Sequence, residues 1–200
     1  MELNRDTLAQ SLILLGEYLE AEKSDPIRLI VTGGAALQAT GITGRTTYDL
    51  DILATRGTVD GEISPAHPLP EHFNEAAEAV AVEMKLASNW ANANTSLLMI
   101  GFERLPGEIW TDLLVKNYGP CLEVSFMGRT GQIYLKIWAA MDRDRESDLS
   151  DLRQLNITEA EARKVIHWLI DEELISLRAP ERAEEVMKKI GHEGIIPKFS

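Results

Sequence analysis

The hydrophobic period changes along the chain. Leu8, Leu12, Leu15 and Leu19, with Ile13 nearby, recur at helical spacing and predict a helix over 6–22. Asp6 or Thr7 would cap it, and Ser24-Asp25-Pro26 would end it. An apolar run then predicts a strand at 28–32, a Gly33-Gly34 turn, a short helix at 35–40, a turn at 41–44 and a second strand at 47–54. Gly57, Gly61, Pro65, Pro68 and Pro70 mark 57–70 as a loop, either passive or long enough to move over a site. Phe73, Ala76, Ala77, Val80 and Met84 share one face of an amphipathic helix over 71–86. After a polar stretch at 88–96, extended segments are predicted at 97–102, 109–117 and 121–127, separated by Pro106-Gly107 and Gly119-Pro120.

Helices take over from there. They are predicted at 131–145 and 148–155, then from the capping box Thr158-Glu159-Ala160-Glu161 through Ile170, and from about 180 to 190, before Gly191. Strands alternate with helices early and helices dominate late. The expected fold is therefore α+β, with a mixed-sheet core over 1–145 flanked by helices and a helical C-terminal part, 146–200, packed on it.

Charge narrows the function classes. Lys and Arg number 20 against 32 Asp and Glu, a net charge of −12, which argues against a surface built for non-specific nucleic-acid binding. An RNA end as substrate would need a local basic patch. No apolar run approaches the roughly 20 residues of a membrane helix, and the first residues lack a signal-peptide pattern, so a cytoplasmic protein without membrane contact is expected. Cys121 is the only cysteine, and His67, His72, His167 and His192 lack metal-ligand spacing, which points away from zinc.

The chemistry-bearing stretch runs from Leu29-Ile30-Val31-Thr32-Gly33-Gly34 to Arg45-Thr46-Thr47-Tyr48-Asp49-Leu50-Asp51. On a strand, Asp49 and Asp51 would share one face, with Tyr48, Leu50 and Ile52 on the other. Two carboxylates that close repel each other, and a hard divalent cation, Mg2+ or Mn2+, relieves the repulsion. Gly33 and Gly34, between a strand and a helix, let backbone N–H groups approach a phosphate. Each element has a plain structural alternative: a tight turn for the glycines, a solvated strand end for the aspartates.

These blocks resemble the nucleotidyltransferase superfamily built on the minimal polymerase-β-type fold. They resemble more closely the bacterial nucleotidyltransferase-like group related to AbiEii-type toxins. The resemblance covers about residues 8–155 and rests on three blocks: Gly33-Gly34-Ala35-Ala36-Leu37, Arg45 to Asp51, and Tyr134-Leu135-Lys136-Ile137-Trp138-Ala139-Ala140 followed by Arg143, Arg145, Asp148 and Asp151-Leu152. Ser88-Asn89-Trp90-Ala91-Asn92 resembles a further element of one branch. The interval between Gly34 and Asp49 is slightly longer than the superfamily pattern, as a longer turn would allow.

The resemblance implies a nucleotidyltransferase-like core that moves a nucleoside monophosphate from an NTP to an RNA, protein or small-molecule acceptor. It also implies a place in a toxin–antitoxin-type pair with a cognate antitoxin-like protein. Asp49 and Asp51 would hold the metal, with Asp112 or Glu123 as candidates for a third carboxylate. Gly33, Gly34, Arg45 and Thr46 would bind nucleotide. Lys136 would grip the triphosphate, or else snorkel along its helix rim. Asp148 and Asp151 would pair with Arg143 or Arg145 to pin that helix. The rival reading is a non-catalytic nucleotide-binding or antitoxin-like relative; a Rossmann-like binder is disfavoured because the glycines do not form Gly-x-Gly-x-x-Gly.

Overall fold

A computed structural model describes residues 2–57, 61–96, 101–143, 145–174 and 180–196. Helix α1 (Arg5–Ala21) begins earlier than the apolar spacing predicts because Asn4 takes the cap: its side chain accepts from the N–H groups of Asp6 and Thr7. The four predicted leucines of α1 are buried. Strand β1 (Ile27–Thr32) runs straight into α2 (Gly33–Ala39), so the glycines form the first turn of the helix rather than a separate turn. Strand β2 (Leu50–Arg56) follows, then a short β3 (Ile63–Pro65) within the predicted loop, and α3 (Glu71–Met84). The remaining elements are β4 (Ala91–Asn92), β5 (Leu113–Asn117), β6 (Leu122–Met127), α4 (Arg129–Asp142), α5 (Glu146–Gln154), α6 (Glu159–Asp171) and α7 (Pro180–Lys189).

The fold is α+β. Its mixed sheet has the order β3-β2-β1-β6-β5, with β4 attached to β2. Strand β1 is antiparallel to β2 and parallel to β6. Leu29, Ile30 and Val31 on β1 and Val124 and Phe126 on β6 are fully buried at the centre. Helix α2 packs on β1, β2 and β6, while α4 packs on α2 and β6 and carries α5, α6 and α7. Among the described residues, no helix is long and apolar enough to cross a membrane.

Two stretches differ from the sequence expectation. Strand β2 starts at Leu50, not at 47, because Thr47 bridges to Leu3 instead: the N–H of Leu3 donates to the Thr47 carbonyl and that of Thr47 to the Leu3 carbonyl. Tyr48 consequently stands 67% exposed, while Leu50 and Ile52 are fully buried, so the three do not share a face. Further on, Ile30 pairs with Ala54 but Val31 with Ile52, a bulge that accommodates the consecutive buried residues Ile52, Leu53 and Ala54. In the second stretch, 102–104 and 107–110 form 3-10 turns, so β5 is shorter than predicted; 97–100 lie outside the described residues. Pro106-Gly107 starts the second turn, whose buried Ile109 helps seat it on α4.

The segment 90–96 is a strap laid beside the start of β2. Trp90 is fully buried, its indole N–H donates to the Ala77 carbonyl, and its own carbonyl accepts from the N–H of Leu50. At the other end, the Ser96 hydroxyl donates to the Ala93 carbonyl and accepts from the N–H of His67. Between them β4 pairs in parallel with β2, setting Asn92 opposite Asp51. Trp90 is thus the core anchor of the strap. Replacing it by Ala should cost about 3–5 kcal/mol of stability, measured by urea unfolding, because a cavity is left behind and the indole hydrogen bond is lost.

Candidate functional site

The glycine pair and the acidic pair meet. Asp51 on β2 is the register partner of Thr32, the last residue of β1, so its side chain reaches the first turn of α2. Gly33 adopts φ +70, and a Cβ there would lie 2.4 Å from Oδ2 of Asp51. Only glycine satisfies both the backbone and the approach of the carboxylate. A Cβ on Gly34 would meet Oγ1 of Thr47 at 2.8 Å and the guanidinium of Arg45 at 3.5 Å. The second glycine therefore seats the loop that carries Arg45, Thr47 and Asp49. Buried Gln38 ties that loop to α2 by donating to the carbonyls of Leu3 and Arg45.

Asp49 precedes the strand and is not held by the alternation of β2. Its Oδ1 accepts from the Thr47 hydroxyl at 3.3 Å. Asp51 Oδ1 accepts from the Thr95 hydroxyl at 3.2 Å. The Asp51 carboxyl is pushed up to about 6, first by burial and then by repulsion from Asp49, against the opposing pull of Thr95, Lys136 and Arg143. That electrostatic cost is what a cation would relieve, and two carboxylates suit a hard ion such as Mg2+ or Mn2+.

Neither candidate for a third carboxylate joins them. Asp112 accepts from the N–H of Thr130 at 3.0 Å and caps the start of α4. Glu123 pairs with Arg56. It is level with Arg28 on β1, four residues from Thr32 and so roughly 13 Å away along the strand. Among the described residues, no three His, Cys, Asp or Glu side chains are gathered to hold a metal ion. An ion here would rest on Asp49 and Asp51 and complete its shell with water and substrate oxygens, as Mg2+ commonly does.

Behind the aspartates lies a buried charge network. Arg45 grips Asp151 with two parallel bonds of 2.6 Å. Lys136 on α4 reaches Asp151 at 2.7 Å and Asp148 at 3.0 Å, and Arg143 reaches Asp148 at 3.2 Å. The side chains of Lys136, Asp148 and Asp151 are 9%, 3% and 0% exposed, so this is an interior cluster and not a lysine on a helix rim. Burial would push the Asp151 carboxyl up, but the hydrogen bond from Arg45 and the charge of Lys136 more than reverse that and hold it below its ordinary value. The guanidinium of Arg45 is held above its own by the same bond. Arg45 and Arg143 keep 32% and 47% of their side chains exposed, which leaves them able to meet an anion from solvent.

Thr46 faces elsewhere, donating to Glu2 at 2.6 Å. Its neighbour Thr47, buried against Gly34 and bonded to Asp49, lines the site instead. Thr95 has no local signal, being 44 positions from the carboxylate it bonds. A cavity of about 610 Å³ between α1 and α3, lined by Glu22, Asp25, His72 and Glu75 among others, contains none of these residues, and its acidic wall does not suit a phosphate.

No family model, curated protein or solved structure matches this chain.

Two measurements test the electrostatics. Between its ordinary value of 3.8 and about 6, the folded chain holds the Asp51 proton more tightly than the unfolded chain does. Stability from this group therefore falls as pH rises through that window, and the full cost is present above it. Asp51→Asn should be more stable than wild type at neutral pH by on the order of 2 kcal/mol; in urea melts across pH, that gain should shrink to nothing once wild-type Asp51 is protonated. Lys136→Met should have the opposite effect. It strips Asp148 and Asp151 of a shared buried partner and should cost about 3–5 kcal/mol in the same assay.

Proposed function

We propose that this protein is a metal-dependent nucleotidyltransferase, moving a nucleoside monophosphate from an NTP to an acceptor hydroxyl and releasing pyrophosphate. One observation carries the reading: Gly33 and Gly34, the Asp49/Asp51 pair, and the cations Arg45, Lys136 and Arg143 come from three separate segments and converge on one place. A close backbone approach, a carboxylate pair and a cationic wall are the groups that phosphate chemistry requires.

In this reading Asp49 and Asp51 hold Mg2+ or Mn2+, and the glycine backbone lets the phosphates come close. Arg45 and Arg143 face the phosphates with their exposed parts, while Lys136 supplies positive potential from behind. The bound ion supplies charge neutralisation for the triphosphate and the departing pyrophosphate. The acceptor oxygen forms a bond to the α-phosphorus, the bridging α–β bond breaks, pyrophosphate leaves with the electron pair, and the hydroxyl proton passes to water. Positioning dominates such a step, so no serine–histidine arrangement is needed. An RNA end, a protein hydroxyl and a small molecule are the acceptor classes. A place in a toxin–antitoxin-type pair, beside an antitoxin-like protein, is part of the same proposal and rests on the sequence resemblance alone.

One arrangement favours a second reading, a catalytically silent nucleotide binder. Lys136 is already paired with Asp148 and Asp151, and Asp112 and Glu123 have partners elsewhere. A transfer assay separates the two. The protein is incubated with each α-labelled NTP, Mg2+ or Mn2+, and pools of small RNAs and proteins, beside an Asp49→Asn/Asp51→Asn variant. Metal-dependent labelling that falls to background in the variant is the expected result. Labelled NTP bound without transfer in every combination would establish the silent binder, and no binding at all would sink both readings.

A further inference from the structure

The strap at 90–96 is tied down at both ends, yet the transfer reading assigns it no part. Trp90 anchors one end through the Ala77 carbonyl and Leu50 N–H, and Ser96 the other through Ala93 and His67. Inside it, the N–H of Asn94 donates to Oδ1 of Asn92, curling the chain into a 3-10 turn over Asn94–Ser96. The turn aims the Thr95 hydroxyl at Asp51 Oδ1, 3.2 Å away.

We infer that Thr95 is a positioning residue for the metal-holding carboxylate. The inference rests on the reading of Asp49 and Asp51 as cation ligands, and it gives the strap a role in that site. The Asp51 carboxylate has two oxygens, and each has a distinct neighbour. Oδ2 lies against the bare Cα of Gly33, where a Cβ would intrude to 2.4 Å, and Oδ1 takes the Thr95 hydrogen bond. A carboxylate bounded on one side by backbone and held on the other by a hydroxyl cannot swing freely about its side-chain torsions. Its coordinating lone pairs are therefore oriented before any ion arrives. The hydroxyl donates without bringing charge, so it steadies the carboxylate without competing with a cation as Lys or Arg would. Asp49 has a matching hydroxyl in Thr47, but that one comes from its own loop, two residues away. Thr95 is the part of the arrangement that couples the site to a separate element of the fold.

The test is Mn2+ binding by the full chain, without nucleotide, followed by electron paramagnetic resonance of the free ion. Wild type, Thr95→Val, Thr95→Ala, Thr95→Ser and Asp49→Asn/Asp51→Asn are compared, each checked for a cooperative thermal transition. Thr95→Val keeps the shape and loses the donor; Thr95→Ser keeps the donor and loses the methyl. The expected result is a Mn2+ dissociation constant raised about tenfold or more in Thr95→Val and Thr95→Ala, with Thr95→Ser close to wild type. Equal affinity in wild type and Thr95→Val overturns the inference alone, as does a Thr95→Ser loss matching that of Thr95→Val, which would make the methyl contact responsible. If wild type shows no Mn2+ site that Asp49→Asn/Asp51→Asn removes, the metal reading of the aspartates and this inference fall together.

Discussion

The salt-bridge network through Asp151 is the constraint on which the rest of the site depends. It joins three pieces of chain: the loop before β2 through Arg45, α4 through Lys136, and α5 through Asp151 itself. Taking those charges out of water is costly, and the cost is offset only when every member is paired with good geometry. The two-pronged Arg45 grip and the short Lys136 contact meet that condition, and Asp148 adds a second carboxylate shared between Lys136 and Arg143. Such a network adds little stability over an apolar core but tolerates few alternative arrangements. It therefore sets where the loop carrying Asp49 lies relative to α4.

The acidic pair shows the opposite economy. Asp49 and Asp51 repel each other, and burial raises the cost of charging Asp51. The fold holds that tension with small devices. A glycine at positive φ makes room for Oδ2, a threonine from the strap holds Oδ1, and another threonine holds Asp49. Unfavourable charge kept in place by rigid surroundings is the usual mark of a site shaped for a ligand rather than for stability. The cationic network lies close enough to lower the cost of charging Asp51, since Lys136 and Arg143 both pull its carboxyl downward. The two clusters are electrostatically one site.

Most of the secondary structure was legible in the residues because it follows from local rules. The leucine spacing of α1, the capping box of α6, and the apolar runs of β1 and β6 each report burial through their own periodicity. The failures came where a distant partner outweighed local preference. Residues 47–49 look like strand, but Thr47 pairs with Leu3 instead, Asp49 lies off the strand and Tyr48 stands out to solvent. Thr46 looked like the site hydroxyl, yet it bonds Glu2 while Thr47 turns inward. Asp112 and Glu123 looked equally able to complete an acidic cluster until helix capping and strand register took them away from it.

The sequence alone determined the α+β class, the run of elements, and the two blocks where candidate chemistry had to lie. Periodicity, glycine and close-spaced carboxylates carry that information within a few residues of one another. The tertiary structure decided which side chains share the site. It buried Lys136 between two aspartates, brought Arg45 onto Asp151 from 106 positions away, and set Thr95 on Asp51. A contact of that kind depends on strand register and helix packing summed over the whole domain. No local pattern of residue types encodes it.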